Sequence, residues 1–413
     1  MSKLQELINK LCPNGVEFKP LGDISNLSRG KVYGKDYISE HRGEYPVFSS
    51  QTVNDGELGK IDTYDYDGFY LTWTTDGAYA GTIFYRQGKF SITNVCGLIS
   101  LKVNFINLKF LYYWLSIEAP KHVYYGMGNP KLMSNQMTSI MIPVPPIEVQ
   151  EEIVRILDSF SDYAAELQAE LQARKQQYEY YRNLLLTFNP SAYGCGTDDE
   201  QKDGVTTWGG HNYKIEWKKM GEIGTFIRGK RFVRTDIMDR GVPCIHYGDM
   251  YTYYGLYTDN TPTFLKEEKA QKMRFAQKND IVIVAAGENK DDLGNAVAWL
   301  GEKPAAVHDA CFIFRSNLYP NYISHICRSH NYHKQIKMFA NEAKICSVSG
   351  QDLQKVLIPV PEYELQIKIA SILDRFETLV NDLTNGLPAE IAAVKDQYEY
   401  YRNKLLTFKK LSA

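Results

Sequence analysis

Gln177–Phe188 read QYEYYRNLLLTF, and Gln397–Phe408 read QYEYYRNKLLTF, 220 residues further on, with Leu184 against Lys404 the only change. A chain that repeats itself at that spacing is built from two similar halves. Working outward, IPVP at Ile142–Pro145 returns at Ile358–Pro361, followed in each case by helical text sharing Gln150/Gln366, Ile156-Leu157-Asp158/Ile372-Leu373-Asp374 and Phe160/Phe376. The halves also begin alike. Glu17-Phe18-Lys19 and Leu21-Gly22-Asp23-Ile24 return as Glu216-Trp217-Lys218 and Met220-Gly221-Glu222-Ile223, and Arg29-Gly30-Lys31 returns as Arg228-Gly229-Lys230. Residues 32–130 and 231–345 agree in little else, so a shared frame encloses separate contents.

After the first IPVP, Val149, Ile153, Ile156, Phe160, Tyr163, Leu167, Leu171, Tyr178, Tyr181 and Leu185 fall at helical steps, with one gap around Arg174. Such a stripe belongs to a long helix buried along one face. The second copy runs Leu365, Ile369, Ile372, Phe376, Leu379, Leu383, Leu387, Ile391, Val394, Tyr398, Tyr401 and Leu405 without a missed step. Its extra turn preserves the stripe, while Gly386 and Pro388 are placed to kink it. Helices of roughly 40 residues reach about 60 Å, more than one small domain can cover, so the two are expected to pack on each other. Tyr178, Tyr181, Leu185, Tyr398, Tyr401 and Leu405 are then the candidates for helix–helix or partner contact. The tandem Ala165-Glu-Leu-Gln/Ala169-Glu-Leu-Gln is a unit whose gain or loss keeps helical phase and alters only length.

At 413 residues the chain is long enough for two domains with their own cores. No stretch reaches the roughly 20 apolar residues of a membrane span, and the polar opening lacks a secretory signal, so the cytoplasm is the expected compartment. Cys12, Cys96, Cys195, Cys244, Cys311, Cys327 and Cys346 are scattered and without a CxxC pair, which argues against a disulfide framework and a zinc ribbon. The net charge is −2, with a mild basic excess in 213–361 and a mild acidic one in the first helical stretch. Charge alone does not announce a nucleic-acid binder.

The globular parts read as α+β. Short β-branched or aromatic runs such as Gly68-FYLTWTT, Thr82-IFYR, Val95-CGLISL, Asp280-IVIVAA, Ala296-VAWL and Ala310-CFIF are strand-like. Leu108–Ile117 and Tyr322–Asn341 are helix-like, and the Gly/Asp/Thr-rich 189–212 reads as a linker. Loops between these elements carry the polar groups suited to DNA: Arg29 and Lys31, Ser49, Ser50 and Gln51, Asn129 and Lys131 in the first part, and Arg228, Lys230, Arg231, His246 and Tyr247 in the second. Arg and Lys pair with guanine edges or phosphates, and Gln and Asn with adenine. For each residue a solvated surface role is the competing reading. The thirty tyrosines are best assigned to core and interface packing.

Catalytic patterns fail. Gly224-TFIR-Gly229-Lys230 fits a phosphate loop until Arg231, where Ser or Thr should hold magnesium, and its counterpart Ser25-NLSR-Gly30-Lys31 lacks the first glycine. A nuclease set from Asp203 and Glu216 has no equivalent in the first half. Val144-Pro145-Pro146-Ile147 lacks the polar and aromatic residues of an amino-methyltransferase turn, and no spaced His/Cys/carboxylate group offers a metal site.

The order of these parts resembles the DNA-specificity subunits of type I restriction-modification enzymes: an opening CPNGVEFKPLGDI, a variable domain, an IPVP-x-x-E-x-Q helix ending in YRNxLLTF, then the same again. The resemblance covers nearly the whole chain. It implies target recognition domains at 1–146 and 213–361, conserved spacer helices at 147–188 and 362–413 packed as an antiparallel coiled coil, a linker at 189–212 and a pseudo-two-fold repeat. It implies that each domain reads one half of a split, asymmetric double-stranded DNA site, that the helices set the gap, and that they bind two methyltransferase subunits, with restriction subunits joining through the complex. S-adenosylmethionine, ATP and magnesium are then implied for partner subunits and no cofactor for this chain. A self-contained nuclease or methyltransferase and a coiled-coil scaffold for proteins remain the alternatives.

Overall fold

The computed structural model describes residues 3–126, 128–188, 204–208, 211–341, 345–382 and 384–411. The chain divides into two compact units, Met1–Gln168 together with Glu390–Ala413, and Ala169–Ala389.

Each half is closed by its own repeated text. Glu17–Pro20 pairs antiparallel with Met141–Val144, placing Phe18 opposite Pro143 and Lys19 opposite Ile142. In the second half His211–Lys219 pairs with Leu357–Pro361, with Trp217 opposite Pro359 and Lys218 opposite Ile358. The first and last conserved segments of a half are therefore neighbouring strands, and the variable residues are the excursion between them. Of the stretch expected to be a linker, 189–203 and 209–210 lie outside the described residues. Gly204–Trp208 is not linker but a strand, paired with His211–Ile215. Its β-branched and aromatic residues, Val205, Thr206, Thr207 and Trp208, suit a strand, and the glycines around them masked that signal.

The first excursion folds as a six-stranded sheet in the order Ser25–Arg29, Cys96–Leu101, Tyr66–Thr74, Ile83–Ile92, Arg42–Phe48, Glu57–Ile61. The second repeats the first four places with Gly224–Arg228, Cys311–Ser316, Ile281–Val284 and Ala296–Trp299. What is one ten-residue strand, Ile83–Ile92, in the first domain is divided in the second, where Ala305–Val307 takes over its far end beside Val242–Ile245. Leu71, Trp73, Ile99, Leu111, Leu115 and Met137 form the core of the first domain. Val282, Val284, Val297, Trp299, Val307 and Ile313 form that of the second. Ile281–Val284 is buried at every position, which is why its sequence is continuously apolar rather than alternating. Leu108–Glu118 is helical, with Asn107 accepting from the Lys109 and Phe110 amides at its start. The single helix expected over Tyr322–Asn341 is two, Pro320–Ile326 and His330–Phe339, because Ser329 caps the second.

The first spacer is one helix, Ile147–Thr187. The second is broken: Tyr363–Asn381 ends at an extended Asp382, and Leu387–Leu405 follows. The Asp382 carboxylate accepts from the Thr384 and Asn385 amides at 2.7 and 3.2 Å, the local bonding that competes with a helix. Pro388 sits in the first turn of the next helix, where its missing N–H is harmless. The apolar stripe continues through a real stop, which falls between Asn381 and Leu387, at and just before the Gly386 and Pro388 placed to kink the helix.

Spacer packing is antiparallel. In the unit of the first domain, Phe160 stacks on Tyr401 at 5.4 Å and Tyr163 donates to Glu390 at 2.6 Å, so the front of the first spacer runs against the end of the second. In the other unit Tyr178 and Tyr181 stack on Phe376 at 6.2 and 5.7 Å. Each QYEYYRN segment therefore belongs with the globular domain of the other half. Tyr178 meets His325, and Asn183 accepts from the His330 amide, both in the second domain. Tyr398, Leu405 and Phe408 pack with Phe110, Val149 and Leu157 beside the first. Tyr178 and Leu185 are buried, and Tyr398 and Leu405 join the core partly buried, which makes these four intramolecular packing residues.

A shared glutamine fixes each spacer to its preceding domain. Gln150 accepts from the Asn107 amide at 2.8 Å and donates to the Phe105 and Pro145 carbonyls at 2.9 and 2.7 Å. Gln366 accepts from the Tyr319 amide at 2.9 Å and donates to the Pro361 carbonyl at 2.8 Å. Among the described residues no helix is long and apolar enough to cross a membrane.

Candidate nucleic-acid interface

The paired Arg-Gly-Lys segments leave the first strand of each sheet and cross the end of another strand. Lys31 donates its amide to the Ile92 carbonyl at 3.1 Å, and Lys230 to Val307 at 2.9 Å. Gly30 donates to Cys96 at 3.5 Å and Gly229 to Cys311 at 3.0 Å. A Cβ on Gly30 would run into the Ile92 carbonyl, and one on Gly229 into that of His308. The glycine is required by close backbone approach, and it sets the flanking cations on either side of the crossing. Arg29 and Arg228 then make the same contact: Arg29 Nη1 donates to the Asn94 carbonyl at 3.3 Å and Arg228 Nε to the Asp309 carbonyl at 3.0 Å.

From this crossing the equivalence extends. The Thr93 amide donates to Phe48 at 2.8 Å and the His308 amide to Ile245 at 3.2 Å, so Ser49-Ser50-Gln51 and His246-Tyr247-Gly248 occupy the same place in their domains. Leu132 donates to Thr75 at 2.8 Å and Val348 to Ala285 at 2.9 Å, which pairs Lys131 with Ser347. Three segments distant in sequence thus meet at one end of each sheet: the Arg-Gly-Lys crossing, the loop after the parallel strand, and the returning segment. The sheet ends are fixed by backbone bonds and the side chains there differ between the halves.

In the first domain Arg29 is half-buried, its guanidinium 5.9 Å from the Trp73 ring, and burial pulls its pKa down while Asp76 opposes that shift. Lys31 is exposed and paired with Asp65, which also accepts from Tyr33 at 2.6 Å; burial pushes the Asp65 carboxyl up, and those partners outweigh it and hold the group below its ordinary range. Ser49 and Ser50 are half-buried and their hydroxyls face inward. Ser49 accepts from Thr93 at 3.2 Å, while Ser50 accepts from the Thr75 amide at 3.2 Å and donates to Val95. Gln51 donates to the Glu57 carbonyl. Asn129 and Lys131 are exposed, and the Lys131 backbone pairs with Tyr124. Asp76, Asn94 and Tyr124 join this end of the sheet without any sequence signal, because only the folding of loops brings them there.

In the second domain Arg228, Lys230 and Arg231 are exposed, and Arg274 adds a cation by donating to the Arg228 carbonyl at 2.6 Å. His246 and His308 lie 5.1 Å apart, against Phe232 and Tyr247. His246 Nδ1 accepts from the Gly248 amide and His308 Nδ1 from the Ala310 amide, which puts the proton of each neutral ring on Nε2. His308 Nε2–H donates to the Phe232 carbonyl at 3.1 Å. Burial lowers the pKa of both rings. Glu216, considered above as a nuclease carboxylate, lies between Lys214 and Lys218, which hold it down to about 2. Among the described residues no group of three His, Cys, Asp or Glu side chains is arranged to hold a metal ion.

Comparison with known proteins gives one family. The model described as the type I restriction modification DNA specificity domain matches residues 13–174 and again 213–393. A putative type I specificity subunit of Mycoplasma pneumoniae is 31% identical over 93% of this chain and 95% of its own. The specificity subunit of the type I restriction enzyme MpnII from the same organism is 43% identical over 45% of this chain and 57% of its own. Among solved structures, the type I restriction-modification S subunit from M. genitalium superposes with a TM-score of 0.53 at 15% identity, over 96% of this chain and 97% of that one. A second, from work on complex assembly and conformational transition in a type I system, gives 0.57 at 15% identity over 95% and 98%.

Proposed function

This chain belongs to the type I restriction-modification DNA specificity family, and on that premise we propose that its two globular domains each read one half of a split, asymmetric duplex site through the sheet ends described above. The observation that carries this reading is the conjunction of a common backbone frame with unlike side chains. Lys131, Asp76 and Asn94 stand in one domain where Ser347, Ala286 and Asp309 stand in the other. Two similar readers in one chain match the two-fold presentation of half-sites, without requiring a palindrome. Arg29, Lys31, Lys131, Arg228, Lys230, Arg231 and Arg274 supply phosphate and guanine contacts. Asn129, His246 and Tyr247 supply base-edge contacts, and Ser49, Ser50 and Gln51 shape the loop that presents them.

The spacers hold the readers and set the gap, and they carry two equivalent surfaces for two methyltransferase subunits. Tyr180 and Tyr400, the matching residues of the repeat, are 61% and 59% exposed, while Tyr181 and Tyr401 beside them are partly covered by the opposing helix. Methyl transfer from S-adenosylmethionine, and ATP- and magnesium-dependent restriction, reside in partner subunits, and this chain contributes address rather than catalysis. The assembly acts in the cytoplasm.

Domain exchange tests the reading. Replacing 213–361 by the corresponding domain of a relative, and mapping methylated bases in a genome carrying the complete system, is expected to change one half-site and keep the other. A change in both half-sites would refute separate readers. The chain purified alone with DNA, magnesium, ATP and S-adenosylmethionine is expected neither to cut nor to methylate.

A further inference from the structure

Arg86 is 2% exposed, yet its guanidinium is directed at the surface loop after the parallel strand. The cation lies 3.6 Å from the Phe48 ring and 4.4 Å from the Phe84 ring, and its Nε donates to Thr72 at 3.1 Å. Both terminal nitrogens leave the core for one residue: Nη1 donates to the Asp55 carboxylate at 2.6 Å and Nη2 to the Asp55 carbonyl at 2.8 Å. Asp55 is 73% exposed, so a buried cation is fastened to a surface anion.

The segment held this way is unusual. Asn54, Asp55 and Gly56 have φ of 52°, 52° and 79°, three consecutive residues in the left-handed region. Side-chain-bearing residues adopt that region at a cost, and a run of them persists only where the surroundings fix it. Arg86 supplies that fixing force, and the result presents Val53 and Asn54 to solvent directly beyond Gln51. The second domain has no such device. Strand register puts Trp299 where Arg86 stands, and the loop after Ile245 turns instead into a short helix at Asp249–Thr252, whose Asp249 accepts from Thr263 at 2.9 Å.

We propose that Arg86 is a positioning residue: by clamping Asp55 it holds the Thr52–Gly56 loop in one shape and so decides which bases the first domain accepts. The proposal rests on this sheet end reading DNA. Arg86 itself touches no DNA, so its loss should blur sequence discrimination without removing a phosphate contact.

The test uses the full chain co-purified with its system's partner subunits, and competition among duplexes carrying single base-pair changes in either half-site. Arg86→Met keeps the volume between the two phenylalanines and removes the clamp. It is expected to reduce discrimination at the half-site of the first domain about tenfold, within the range of a single mismatched pair. Discrimination at the other half-site, and the slope of log K against log salt, should stay unchanged. Arg86→Lys should recover part of the loss, because a cation still reaches Asp55. Asp55→Asn tolerates the left-handed backbone and lies on the surface; it should fold normally and reproduce a smaller loss at the same half-site, which keeps the proposal testable if Arg86→Met does not fold. Equal losses at both half-sites, a reduced salt slope, or unaltered discrimination in folded Arg86→Met or in Asp55→Asn would each overturn it. A wild-type complex that discriminates at neither half-site would instead refute the DNA reading beneath it.

Discussion

The two recognition domains agree in backbone and disagree in side chains, whereas the two spacers agree in side chains and disagree in backbone. In the domains, Gly30 and Gly229 cross the same strand end, and Phe48 and Ile245 accept from the same turn, although little beyond Arg-Gly-Lys and the Cys96/Cys311 acceptors is shared there. In the spacers, QYEYYRN is preserved to the letter, yet one helix runs unbroken from Ile147 to Thr187 and the other stops at Asn381 and restarts at Leu387. A surface that must vary is best carried on main-chain bonds, which are indifferent to the side chain. A surface that must stay constant can be written in residues and tolerates a change of chain path.

The sharpest way to break this comparison is at the crossing glycines. Gly30→Ala and Gly229→Ala force a carbonyl to move and should each destabilise their own unit by about 2–4 kcal/mol, read by hydrogen exchange resolved to each unit. Gly34→Ala, whose added Cβ meets nothing within 4 Å, is the control and should shift stability by less than about 0.5 kcal/mol. Equal, negligible effects at all three would remove the crossing as the common frame.

Next come the shared glutamines. Gln150→Leu strands the Asn107 amide and two carbonyls, while Gln366→Leu strands the Tyr319 amide and one. Losses of roughly 3 and roughly 2 kcal/mol are expected from unpaired buried groups, measured by denaturant unfolding. The reverse order would show that the number of stranded groups does not set the loss.

Acid separates the units more gently. Burial, with Arg328, Lys337 and Arg182 nearby, takes the His333 pKa down to about 4. Because the unfolded ring binds a proton first, stability from His333 is complete above about pH 6.5 and is lost as pH falls towards 4, on the order of 2–3 kcal/mol. In the other unit, Arg155 and Lys3 hold Glu152 down to about 2, so its contribution persists until pH falls below about 4.5 and disappears towards 2. The unit containing His333 should therefore loosen first on acidification, and His333→Gln should narrow the difference. Smallest is Tyr113→Phe, which removes the 2.6 Å bond to Asp158 that His325 supplies to Asp374 at 2.8 Å in the other half. A loss of about 1 kcal/mol is expected by calorimetry.

Much of this arrangement was legible in the residues. Helical stripes gave the spacers, and β-branched and aromatic runs gave the strands; Ser49-Ser50-Gln51 and His246-Tyr247-Gly248 were each legible as loops between elements, but only the backbone bonds make them equivalent. What could not be read is of another kind. Periodicity does not register a stop when the apolar steps continue through it: Gly386 and Pro388 pointed to a kink there, but Leu379, Leu383 and Leu387 gave no sign that Asp382 ends the helix outright. Nor does any pattern pair Asn94 with Asp309, since they contribute carbonyls and carbonyls carry no residue signature. The exchange of spacer ends between domains is equally silent: Tyr178 and Tyr398 have the same neighbours in sequence and different ones in space.

The two-strand closure at the base of each domain has a consequence in polymer terms. Once Glu17–Pro20 is zipped to Met141–Val144, the whole reader is a loop whose ends are already joined, and likewise for His211–Lys219 and Leu357–Pro361. The entropy of closing a loop grows only with the logarithm of its length, so doubling the enclosed chain adds about 0.6 kcal/mol. The mouth of the loop is therefore nearly blind to the size of what it encloses, and readers of quite different length can hang from the same pair of strands.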